Sequence, residues 1–162
     1  MKLFKKVSAM VVSLLMALAM VVPVAAANPT ITVKNIATDE NVTLSYLKVV
    51  KQDKTTKTGW AFVSDEVTKI FKEEYKKNDA QDILASLANS AAHSKALARL
   101  GNLNGFTKFT DNAGRKTEVD GAGLYVVKVV DNSNKYTYNV MAAPINFDYA
   151  GNPATLRNAE LN

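Results

Sequence analysis

Residues 121–145 read GAGLYVVKVVDNSNKYTYNVMAAPI. The core of this stretch, GLYVVKVV at 123–130, is a near-continuous apolar run rich in valine. A run of that kind is expected of a central strand buried on both faces. DNSNK is a turn, and KYTYNVMAA at 135–143 is a second strand that Pro144 ends or bulges. Immediately upstream, GFTKFTDNAGRKTEV at 105–119 reads as a hairpin with its turn at Asp111–Gly114. Downstream, INFDY, then Gly151-Asn152-Pro153, then ATLRNAEL predict one more hairpin. Three earlier segments are strand-like: TITVKNI at 30–36, VTLSYLKVVK at 42–51 and WAFV at 60–63.

Between these two groups of strands the apolar period changes to that of a helix. Ser64 is a capping residue, followed by Asp65 and Glu66 in the first turn. Val67, Ile70, Phe71 and Tyr75 share one face, and Lys76 and Lys77 suit the end. Asp79 then caps a longer helix, DAQDILASLANSAAHSKALARLG, with an apolar stripe at Ile83, Leu84, Leu87, Ala88, Ala91, Leu97 and Leu100 and a stop at Gly101. The order is strands, two helices, strands. It predicts a mainly β domain with a helical insertion, a two-layer β-sandwich with the helices packed on one side or end.

The first 27 residues have a different character. Lys2, Lys5 and Lys6 precede an apolar run from Val7 to Val24, and alanines follow. This is the layout of a secretory signal peptide, with cleavage expected after Ala27 or Ala26. Ser8, Ser13 and Pro23 weaken the alternative, an uncleaved membrane anchor. The mature chain is then a single domain, 28–162. The 162 residues carry 20 Lys and Arg against 15 Asp and Glu. The leader takes three of the lysines and no acid, leaving 17 basic against 15 acidic residues. That balance argues against a nucleic-acid partner. There is no cysteine, which excludes disulfides, thiolate metal sites and cysteine nucleophiles, and a single histidine, His93, excludes a multi-histidine metal site.

Three stretches in this order resemble the N-terminal domain of Gram-positive pilus backbone subunits, the isopeptide-forming fimbrial proteins. ITVKNIATDENVTLSYLKVV is similar to the family's first hairpin, DILASLANSAAHSKALARL to its alanine-rich insertion, and GAGLYVVKVVDNSNKYTYNVMAAPI to its glycine-aromatic strand and hairpin. The resemblance implies an immunoglobulin-like β-sandwich of the pilin N-domain type. It also implies a secreted, cell-wall location in a Gram-positive bacterium and a non-enzymatic, structural or adhesive role. Other pilin subunits and a sortase would be the partners, with host protein or glycan as further ones, and no cofactor is implied. Family members end in a cell-wall sorting signal, which does not follow Ala154, and carry a linking lysine in a valine-tyrosine-proline-lysine-like motif that does not occur here. The chain therefore reads as the front of a longer subunit or as a short exported relative. The alternative function is a free exported carbohydrate- or protein-binding module.

The resemblance also implies an intramolecular bond between a lysine amine and an asparagine side chain, assisted by an acid. Such an amine must be buried so that it is neutral and nucleophilic, and the acid must be buried so that it stays protonated. Lys48 is the candidate amine, since alternation puts it on one strand face with Leu44, Tyr46 and Val50. Snorkelling of that lysine to water is the simpler reading. Lys34 is the second choice. Glu118 is the candidate acid and Asn146 the candidate amide, with Asn139 and Asn158 as rivals.

Other residues suggest plainer roles. His93, near Ser90, Ser94 and Lys95, is expected to be an inert helix-surface residue, because no nucleophile elbow accompanies it. The turns Asp111–Gly114 and Asp131–Asn134 offer oxygen ligands but lack calcium-loop spacing, so turn chemistry is expected. Tyr46, Trp60, Phe62, Phe106, Phe109, Tyr125, Tyr136 and Tyr138 are expected in the core rather than on a sugar-binding platform. No metal or cofactor site and no catalytic residue is expected.

Overall fold

A computed structural model of the chain describes residues 3–5, 28–37, 39–88, 90–146 and 156–162, and of 3–5 the backbone alone. The strands are β1 (Leu3–Lys5), β2 (Thr30–Val33), β3 (Val42–Gln52), β4 (Trp60–Phe62), β5 (Thr107–Lys108), β6 (Lys116–Glu118), β7 (Gly123–Asp131), β8 (Tyr136–Tyr138), β9 (Met141–Ile145) and β10 (Ala159–Leu161). The helices α1 (Asp65–Tyr75), α2 (Ala80–Ala85) and α3 (Ala91–Leu100) all lie between β4 and β5. The chain is mainly β with an inserted helical segment. The apolar run of 7–24, both expected cleavage positions and the turn at 151–153 lie outside the described residues. Within 1–27, β1 runs parallel to β8.

β7 is the centre, as its apolar run predicts. It pairs antiparallel with β3 on one side and β9 on the other, in a sheet of order β4-β3-β7-β9 with β5 also against β3. Leu124 and Val126 join the core on the helical side, together with Trp60, Phe71, Leu84 and Leu100. Tyr125, Val127 and Val129 join a second core, shared with a three-stranded sheet of order β10-β2-β6. The two sheets thus face each other across one core, and the helices cover the other face of the larger sheet. Complete burial of each large apolar side chain contributes on the order of 1.5–3 kcal/mol, so two cores hold β7 firmly.

The flanks of the two sheets are linked. At one flank the chain runs from β5 into β6 through a turn closed by the Asp111–Lys116 bridge. At the other, the Arg157 N–H donates to the Asn146 carbonyl at 2.8 Å, near β9 and β10.

The helical segment departs from its expected form. α1 starts and ends as predicted: the Ser64 side chain accepts from Val67 N, and Lys76 closes the helix in the left-handed conformation. The longer helix divides into α2 and α3. The Ser86 hydroxyl turns back onto the carbonyls of Asp82 and Ile83, and Ser90 caps a fresh helix by accepting from His93 N. Serine side chains that bond to nearby backbone favour such interruptions. The restart rotates the buried face: α3 buries His93, Ala96, Leu97 and Leu100, while Ala88 and Ala91 are exposed. His93 is therefore a core residue with no exposed surface, which corrects its expected place on the helix surface. Gly101 ends α3 with an ordinary right-handed φ of −61°. Its missing side chain is explained by Val140 Cγ2, which an added Cβ would meet at 2.6 Å.

The hairpin expected over 145–161 falls largely on 147–155, outside the described residues. The last strand, β10, runs parallel to β2, with Ala159 opposite Ile31 and Leu161 opposite Val33. All four of these side chains are buried in the core between the sheets. Pro144 lies inside β9, the outer strand of its sheet's order, where a missing N–H is tolerated.

Candidate functional site at Lys48

β3 pairs regularly with β7 from Val42 to Lys48, then slips: Lys48 faces Tyr125, Val50 faces Leu124, and Val49 is the extra residue. This β-bulge reverses the alternation. Lys48 stays on the face of Leu44 and Tyr46, towards the second sheet. Val50 moves to the helical side with Val49. The expected grouping of Lys48 with Val50 is corrected accordingly. A plain alternation count cannot see a bulge.

Gly123 makes the bulge possible. An added Cβ there would lie 2.1 Å from the Val50 carbonyl oxygen and 3.0 Å from Lys48 Cε. The glycine thus lets the start of β7 press against both the bulge and the lysine stem. The Lys48 ammonium reaches past it and donates to the Asp120 carbonyl. Its Nζ lies 5.5 Å from the centre of the Tyr125 ring. Tyr125, itself buried, donates its hydroxyl to the carbonyls of Asp120 at 2.6 Å and Gly121 at 2.9 Å.

The electrostatics follow from this packing. Burial lowers the Lys48 pKa, the Asp120 carboxylate opposes that shift, and the Lys51 charge adds to it. Burial, reinforced by Asp120 and Tyr46, raises the Tyr125 pKa. Lys48 is thus a half-buried amine with an easier route to its neutral form than a surface lysine has.

The other candidate residues are disposed differently. Glu118 is exposed on β6, opposite Thr30, while its neighbours Thr117 and Val119 are buried. It does not meet the expectation of a buried acid, because strand alternation turns it to solvent. The carboxylate whose field acts on Lys48 is that of Asp120, two residues further on. Sequence reading missed it because the loop after β6 gives no periodic signal. Asn146 follows β9 and is partly buried, its carbonyl engaged by Arg157 N. Lys34 is exposed and forms a 2.7 Å ion pair with Glu160 of β10. Asn139 is exposed, and the Asn158 side chain accepts from Thr30 N at 2.9 Å.

The turn residues spend their polar atoms on the backbone. Asp131 accepts from Ser133 N and Oγ through one carboxylate oxygen and from Lys135 N and Tyr136 N through the other. These bonds, led by that from the Ser133 hydroxyl, hold its pKa down at about 2. Asn112 imitates a strand residue: its side chain accepts from Leu44 N at 2.9 Å and donates to the Val42 carbonyl at 2.8 Å. The Arg115 guanidinium donates to the carbonyls of Asn112, Ala37 and Glu40. Trp60, Phe62, Phe109, Tyr125 and Tyr138 lie in the two cores.

No family model matches this chain, and no curated protein and no solved structure matches it.

Proposed function

We propose that the chain is an exported structural domain of the cell surface, of the fimbrial-subunit kind, without catalytic activity. In this reading residues 1–27 are a removed leader, and 28–162 form an immunoglobulin-like β-sandwich with helices over one outer face. The observation that carries it is the pairing of the domain's first and last strands. β2 and β10 lie side by side and parallel, from Ala159–Ile31 to Leu161–Val33. Tension applied through the two ends of the domain loads the bonds between them in shear, so that they resist together rather than breaking one by one. The pair is fastened at both ends. Thr30 N donates to Asn158, Lys34 N donates to the Leu161 carbonyl at 2.6 Å, and Asn35 Nδ2 donates to Asn162 Oδ1 at 3.3 Å. A domain so built suits a load-bearing chain of subunits at a cell surface.

Lys48 is the amine through which an internal cross-link to Asn146 would form. Its attack on the Asn146 carboxamide carbon makes an amide and releases one ammonia. The test of the structural role is fractionation of the native cells. Antibody to 28–162 is expected to find the protein in the cell wall or medium, in subunit-linked species. Confinement to the cytosol would overturn the proposal. A single free species in the medium would favour the binding-module reading instead.

A further inference from the structure

We propose that the helical layer is an acid-sensitive unit: protonation of His93 detaches α1–α3 from the larger sheet while the core between the two sheets stays closed. His93 has no exposed surface, and it sits on the buried face of α3. Its Nδ1 lies 3.2 Å from the Tyr75 hydroxyl of α1, and its Nε2 has no hydrogen-bond partner among the described residues. In either tautomer one buried ring nitrogen is unsatisfied. In the protonated ring both nitrogens are donors, and the Nε2 donor and the new charge have nowhere to go but water.

Among the described residues, the groups around the imidazole offer no compensation. From α1 the titratable neighbour is Tyr75, whose own pKa burial raises. At the rim of the same helix pair Glu73 and Glu74 are taken by Arg99 of α3, at 2.7 and 3.1 Å, and Lys69 lies 3.9 Å from Glu73. Asp79, the α2 cap, and Asp82 of α2 are exposed. The sheet beneath faces this layer with apolar residues such as Trp60, Phe62 and Val126. Burial alone sets the imidazole pKa, at about 4 against 6.5 for a free ring. The sign follows: the opened form takes up a proton below pH 6.5 and the closed form only near 4. The stability of the closed form therefore falls as pH drops through that window, and no further below it. His93 is the sole histidine, so proton uptake on opening between pH 6 and 5 is assigned to it.

The experiment is amide hydrogen exchange of the full chain, corrected for intrinsic rates, from pH 7 to pH 4. Fluorescence of Trp60, the sole tryptophan, is followed in parallel. Exchange within 65–100 is expected to rise about a hundredfold by pH 4, with a red shift of Trp60 and unchanged protection in β7. In His93→Gln the rise is expected to be absent. If that variant does not fold, the imidazole proton resonances of the native chain decide, since a ring that titrates near 6.5 without helix exchange overturns the proposal. Loss of protection in helices and β7 together, or a pH response that persists in His93→Gln, overturns it equally.

Discussion

Replacing Asn112 by alanine removes a side chain that serves as a piece of strand. Its amide closes two bonds to the edge of β3, at Leu44 N and the Val42 carbonyl, next to the Phe109 N–H bond to the Leu44 carbonyl. Each such bond contributes about 1 kcal/mol net, and a part-buried group left unsatisfied costs more. Together they place the loss for Asn112→Ala at roughly 2–3 kcal/mol. At about 3–4 °C per kcal/mol for a domain of this size, the melting temperature falls by about 6–12 °C. Asn112→Asp is expected to be nearly as damaging, because a carboxylate still accepts from Leu44 N but repels the Val42 carbonyl. The assay is urea denaturation at pH 7, where the midpoint should move and the slope should not. A loss under about 0.5 kcal/mol would refute the strand-mimic account. So would calcium-dependent stabilisation of the native chain that disappears in Asn112→Ala, since that would make the turn a metal site.

Gly123→Ala drives a methyl group into the Val50 carbonyl and the Lys48 stem, and is expected to cost roughly 2–4 kcal/mol by denaturant titration; an effect near zero would mean that the bulge is adaptable. For Asp131→Asn, the sign of the pH effect is fixed by the lowered native pKa, about 2. The native carboxylate stabilises above the ordinary Asp range and loses that contribution as pH falls from about 4 towards 2. The variant should be less stable at pH 7 and show a flatter acid limb in stability-versus-pH curves. Ser90→Ala removes the cap of α3 and should lower stability by about 1 kcal/mol, measured by thermal melting, with Ser94→Ala as an exposed control.

The central features of the fold are legible because they rest on periodicity. The valine run of β7 announces a strand with two buried faces. The shift from alternation to helical spacing at Ser64 marks the inserted layer. What the sequence conceals are single-residue events. One extra residue at Val49 changes which side chains accompany Lys48, and Gly123, which allows it, reads as part of a strand motif. Two serines split one helix into two and carry His93 from a notional surface into the core. Asp120, whose charge acts on Lys48, sits in a loop without pattern, while Glu118 has a strand's alternation behind it; both are exposed. The partner of the last strand is a matter of long-range pairing: β10 matches the inward residues of β2 across more than 120 positions, which local spacing does not encode.

The most direct test of the proposed role is the intact mass of the native protein recovered from culture medium and cell wall. The account predicts a chain that begins at Asn28 or Ala27, with the wall fraction carrying it in larger, subunit-linked species. A Lys48–Asn146 cross-link would lower the mass by one ammonia. A protein that retains residues 1–27 and is recovered from the cytosol would contradict the account.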